Sequence, residues 1–155
     1  MKPRYLLRSL AAATLILVGT QAAQAGESKT NPILGISPES LESFGGREGV
    51  HEWVKSLFYY IMLDNRINKI FKEFGNPERQ IVLNTQLETM VLGGPNEYQG
   101  ASMSAAHADL EITMTQFNAV VEAAYSACER NNIKYYACNQ LINALAPFTR
   151  DIVTR

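Results

Sequence analysis

The sequence holds two histidines, His51 and His107, in different settings. His107 shares a helical face with Met103, Ala106 and Leu110. A neutral imidazole in such a place is either a hydrogen-bonded core side chain or a metal ligand through one ring nitrogen. Met103, four residues earlier, reads as core rather than as a second ligand. His51 lacks acidic or cysteine companions at metal-ligand spacing, so zinc or non-haem iron held by the two histidines is poorly supported, and His51 reads as a surface residue. A second candidate is the pair Gln80 and Asn84, one helical turn apart, on a face otherwise made of Leu83, Leu87 and Val91. Buried carboxamides need partners, and their N–H groups can donate to a ligand. If the face is turned by one residue, Ile81, Leu83, Leu87 and Met90 point inward and both amides are solvated. Cys128 and Cys138 are the only cysteines. They flank Asn131-Asn132, which has the look of a turn between helices. Either they pair across that turn, or Cys128 is a buried small hydrophobe on its helix.

Other chemistries are missing their residues. No glycine-rich phosphate loop, no Gly-x-Ser-x-Gly elbow and no carboxylate pair in an apolar setting occurs. Gly93-Gly94-Pro95 ends a helix, whereas a phosphate cradle opens one. The absence of Cys-x-x-Cys-His excludes c-type haem attachment.

The ends and the composition narrow the setting. Residues 1–25 begin with Lys2, Arg4 and Arg8, continue through a short apolar run and finish on Ala23-Gln24-Ala25. This is the pattern of a cleaved secretory signal, and the run is shorter than the roughly 18 apolar residues a spanning helix requires. The expected mature protein is therefore periplasmic, without a membrane span. Three of the 14 basic residues and none of the 15 acidic ones lie in that segment, so the remaining 130 residues carry a formal charge of −4. Nucleic acid is a poor partner for such a chain. Residues 26–38 read as a flexible lead-in and 39–155 as one domain.

The elements that must position these residues are helices throughout, since no stretch alternates apolar and polar for the length of a strand. Ser37-Pro38 starts a short helix that stops at Gly45-Gly46. A longer one is expected from about 47 to 63, burying Val50, Val54, Leu57, Phe58 and Ile61. A turn through Ile67, Ile70 and Phe71 leads to a helix from Pro77 to about 92, then a short one around 102–109. Two long helices, about 113–129 and 134–153, close the chain, with a kink expected at Pro147.

Assembled in order, Gly45-Gly46-Arg47-Glu48-Gly49, Leu92-Gly93-Gly94-Pro95, Tyr98 with Gly100, then Met103 with Ala106-His107 and residues 112–117, resemble group I truncated haemoglobins. The resemblance spans about 39–153. It implies an all-α, globin-like two-over-two helical sandwich around a non-covalent haem b, with His107 as the proximal iron ligand. The other imidazole nitrogen would then be held by an acceptor such as a backbone carbonyl. It further implies that Phe71 packs on the porphyrin, with Tyr98 and Met103 as additional pocket contacts. Gln80 and Asn84 fall at the distal positions that offer polar contacts to ligand, with Leu83 and Leu87 beside them. The chain departs from the family at Phe58, where many members carry a tyrosine. Tyr59 and Tyr60 are one and two steps along the helix, each step about 100 degrees, and do not replace it without a register change.

The function implied is reversible binding of a diatomic gas, O2, NO or CO, with oxygen transport or NO detoxification as roles. NO dioxygenation would need an outside reductase, since no flavin domain is present. Two alternatives stay open. One is an exported haem redox, peroxidase or sensor protein that does not use O2, made more credible by Phe58. The other is a cofactor-free helical binding module.

Overall fold

The computed structural model describes Ile36 and residues 39–155. The expected signal segment 1–25, the Ser37-Pro38 helix start and nearly all of the lead-in lie outside the described residues. Eight α-helices follow in order: α1 (Glu39–Ser43), α2 (Gly46–Leu63), α3 (Asn68–Glu73), α4 (Pro77–Val91), α5 (Met103–His107), α6 (Met114–Arg130), α7 (Tyr135–Leu145) and α8 (Thr149–Ile152). A 3₁₀ turn, Ala146–Phe148, joins α7 to α8. Among the described residues there is no strand, and no helix is long and apolar enough to cross a membrane.

The glycine pair makes the first corner. Gly45 and Gly46 have φ of +82° and +72°, which an L side chain adopts only under strain, and they let α2 start immediately after α1. At Gly49 a Cβ would sit 1.8 Å from the Phe44 carbonyl oxygen, so the corner tolerates no side chain there either. The starts of α4, α5 and α6 are capped by side chains. The Asn76 side chain accepts from the Arg79 N–H at 2.9 Å ahead of Pro77, and Thr113 forms a reciprocal box with Gln116.

Helix α2 is the centre of the fold and packs against both α4 and α6, while α6 pairs with α7. This is the two-over-two sandwich. The face of α2 is as expected: Val50, Val54, Leu57, Phe58 and Ile61 are buried, together with Trp53. The facing layers are thin because α6 and α7 bury Ala119, Ala123, Ala127, Ala137 and Ala144, which let backbones approach closely. Cys128 and Cys138 form a disulfide across the α6–α7 turn with a Cα–Cα distance of 6.2 Å. The Trp53 indole N–H donates to Cys128 Sγ at 3.2 Å, tying α2 to that bridge.

Two expectations need correction. The last helix does not run from 134 to 153: α7 ends at Leu145, and the chain tightens to 3₁₀ at Pro147, which has no N–H to continue the α ladder. His51 is not a free surface residue. Its Nδ1 lies 3.2 Å from Thr85 Oγ1, half-buried between α2 and α4.

Candidate functional site

A cavity of about 360 Å³ opens between α2, α4, α5, α6 and the C-terminal helices, within the range of cofactor sites. All nine residues singled out in the sequence line it: Phe58 from α2, Phe71 from α3, Gln80, Leu83, Asn84 and Leu87 from α4, and Tyr98, Met103 and His107 from the segment that ends with α5. The rest of the wall is largely apolar, with Leu57, Ile61 and Val120 among its members.

His107 ends α5, a helix of five residues. Ser102 caps it by accepting from the Ala105 N–H at 3.3 Å. His107 Nδ1 is 2.8 Å from the Met103 carbonyl oxygen. A carbonyl can only accept, so Nδ1 carries a proton and Nε2 is the ring nitrogen left for a ligand. The turn after His107 holds two non-glycine residues at positive φ, Asp109 at 63° and Glu111 at 49°. Such conformations persist only where surrounding contacts impose them. Here α5 rests on α8, and the N–H groups of Thr154 and Arg155 donate to the Ile112 carbonyl at 3.0 and 3.3 Å.

On α2, Phe58 is buried with its ring edge-to-face against Phe71, centroids 5.8 Å apart. Neither neighbouring tyrosine lines the cavity. Tyr59 is exposed under the Arg130 guanidinium, and Tyr60 packs against the core. Asn84 Nδ2 donates to the Gln80 carbonyl at 2.9 Å, which occupies one of its two N–H groups. Gln80 has a buried Oε1 without a partner, and its amide fills the space where Gly75 would carry a Cβ. Tyr98 donates its hydroxyl to the Ala101 carbonyl at 2.8 Å and lies against Gly100, where a Cβ would meet its oxygen at 2.1 Å. Burial raises its pKa, and its hydroxyl is turned to the loop rather than left free.

Sequence reasoning missed Glu88, a carboxyl in the same wall and only 4% exposed. It stands one turn beyond Asn84 in the row Gln80, Asn84, Glu88. That spacing was its only signal, hidden because a glutamate late in a helix ordinarily faces water. Trp53 was missed as well, although it continues the apolar stripe of α2 into the cavity.

Among the described residues no group of three histidine, cysteine or acidic side chains is placed to hold a metal ion.

A family model described as bacterial-like globin matches residues 40–154. A group 1 truncated hemoglobin from Tetrahymena thermophila is 33% identical over 85 residues, which is 55% of this chain and 69% of that protein. One from Tetrahymena pyriformis is 24% identical over 117 residues, 75% of this chain and 96% of that protein. The Fe(III) crystal structure of the truncated hemoglobin from Tetrahymena pyriformis superimposes with a TM-score of 0.71 at 23% identity, covering 75% of this chain and 98% of that one. The cyanomet 2/2 hemoglobin from Synechococcus, which has covalently attached heme, gives 0.69 at 23% identity with the same coverage. With the helical sandwich and the cavity on its His107 side, these matches place the chain in the bacterial-like globin family as a truncated globin, a family of haem-binding and gas-binding proteins.

Proposed function

We propose that this chain is an exported, periplasmic haem protein that holds haem b without a covalent bond, through His107, and binds O2 or NO reversibly on the Gln80–Asn84 side. The observation that carries the reading is the His107 geometry: Nδ1–H is committed to the Met103 carbonyl at 2.8 Å, which orients the ring and leaves Nε2 as the nitrogen for iron. The residues suit the group in two further respects. The wall is mainly apolar, as a porphyrin needs, and two carboxamides that can donate N–H groups, Gln80 and Asn84, stand in it.

Haem bound here would supply an iron with an open sixth position for a diatomic gas. The chain does the rest. His107 would hold the iron. Phe58 and Phe71 exclude water. Gln80 and Asn84 offer amide N–H groups to the ligand's outer atom, each worth about 1–1.5 kcal/mol in a desolvated site. Both cysteines are in the disulfide, so neither is available for a thioether to a haem vinyl group.

Reversible gas binding is preferred to a peroxidase or sensing role because two amide donors stand where the family's phenol is missing. NO dioxygenation would be the chemical extension, with a separate one-electron reductase. Absorption spectra of the purified protein in ferric, ferrous and CO-bound forms test the reading. A Soret band, a five-coordinate ferrous form and a stable oxy spectrum support it. Rapid oxidation in air with no oxy form would favour the redox alternative, and no haem uptake at all would leave the cofactor-free module. Extraction of the haem into acidified butanone tests non-covalent binding.

A further inference from the structure

Glu88 is a carboxyl in the cavity wall that gas binding does not use. It is 4% exposed, its Oε2 meets no hydrogen-bond donor among the described residues, and it follows Asn84 by one turn and Gln80 by two, about 6 Å along the α4 axis from Asn84. Buried carboxyls are usually neutralised by a cation or by several N–H groups. Among the described residues the surroundings supply no cation. From α2, His51 faces α4 but is engaged with Thr85, one turn before Glu88, while Arg47, Glu48, Glu52 and Lys55 are exposed. Helix α7, the other helix against α4, has Tyr135 and Tyr136 as its titratable side chains, and both are exposed. The remaining titratable groups of the cavity wall are Tyr98 and His107, whose polar atoms contact the Ala101 and Met103 carbonyls.

We propose that Glu88 is the proton-holding site of the cavity: when an external one-electron donor reduces the haem iron from ferric to ferrous, the Glu88 carboxylate takes up one proton from solvent, and it returns that proton on oxidation. The electron goes to iron and the proton to a carboxylate oxygen, so one positive charge enters with one negative and the cavity charge is unchanged. In a wall of low polarity an uncompensated electron would be costly, and a nearby carboxyl without a fixed countercharge is the group whose ionisation can answer it. Burial alone pushes the Glu88 carboxyl up to about 8, so its titration falls where both forms are accessible near neutrality.

The proposal rests on haem binding in this cavity. Its test is spectroelectrochemical titration of the haem-loaded protein from pH 5.5 to 9.5, with reduced-minus-oxidised infrared spectra. The expected result is a midpoint potential that falls with pH by up to 59 mV per unit, the one-electron equivalent of a tenfold change in proton activity. A carboxylic C=O band above about 1,700 cm⁻¹ should appear on reduction and shift in D2O. In Glu88→Gln the band should vanish and the slope should flatten over that window, while in His51→Gln both should persist. An unchanged slope in Glu88→Gln overturns the proposal but leaves the haem reading intact. So does a wild-type difference spectrum without the carboxylic band, a measurement that needs no variant to fold. Failure to take up haem, seen as no Soret band, overturns both.

Discussion

On one side of the cavity His107 ends a five-residue helix, held by a hydrogen bond to a carbonyl four residues back and by a turn with two strained residues. On the other, Phe58, Gln80 and Asn84 stand on two long helices whose positions depend on packing along their whole length. The first side is local: a cap, a short helix and a histidine specify it. The second is collective, because which side chains of α4 reach the cavity is decided by how α4 rolls against α2. A single residue should therefore be decisive on the His107 side, whereas effects on the α4 side should be graded and shared.

The sharpest way to break that contrast is His107→Gly. We expect haem affinity to fall by at least about 100-fold, beyond what loss of a supporting contact to a metal ligand costs, and added imidazole to restore a five-coordinate ferrous spectrum. Haemin titration followed at the Soret band measures both. Unchanged affinity and spectrum would show that iron is held from another residue.

The same contrast explains what was legible in the sequence. The α2 stripe could be read because its buried positions carry apolar types at helical spacing, and His107 because Gly-Gly-Pro, Tyr-x-Gly and Met-x-x-x-His surround it in order. Helix α4 resisted because Thr85, Glu88 and Thr89 are buried, and these types ordinarily mark a solvated face. Thr85 is satisfied by the Ile81 carbonyl at 2.7 Å and by His51, a residue 34 positions away, which no local pattern can reveal. The strained turn after His107 was equally hidden, since Asp109 and Glu111 adopt positive φ without a glycine to announce it.

Two stability measurements sharpen the picture of the collective side. Glu88 has a folded pKa near 8 against 4.5 for the free group, caused by desolvation. Its sign is unfavourable to the fold: below about pH 4.5 both states hold the proton, and as pH rises the unfolded chain releases it first, so stability declines until about pH 8. The loss from this group by pH 7 is on the order of 3 kcal/mol. Urea midpoints at pH 5 and pH 7.5 should differ less for Glu88→Gln than for the parent protein, and equal differences would contradict the burial of a titrating carboxyl. Reducing the Cys128–Cys138 bridge, or replacing both cysteines by serine, should cost about 2–3 kcal/mol and lower Tm by roughly 10 °C. A calorimetric scan with and without reductant checks it, and a shift under about 2 °C would mean that the unfolded chain is already constrained at that turn.

The smallest effects should come from the residues facing the gas. Gln80 and Asn84 differ in how free their amide N–H groups are: Asn84 already donates one to the Gln80 carbonyl, whereas among the described residues Gln80 Nε2 donates to no partner. Each replacement by leucine removes a donor of about 1–1.5 kcal/mol, so Gln80→Leu and Asn84→Leu should each speed oxygen dissociation by up to about tenfold. The larger change is expected for Gln80, whose amide has fewer competing bonds. Phe58→Tyr should slow dissociation by a similar factor if the new hydroxyl clears the edge of Phe71, whose ring centre is 5.8 Å from that of Phe58. Flash photolysis and stopped-flow displacement by CO give these rates. If either amide variant alone reproduces the full effect of the double variant, one donor serves the ligand and the other only holds α4 in place. If the two effects add, the distal side shares its work as its packing does.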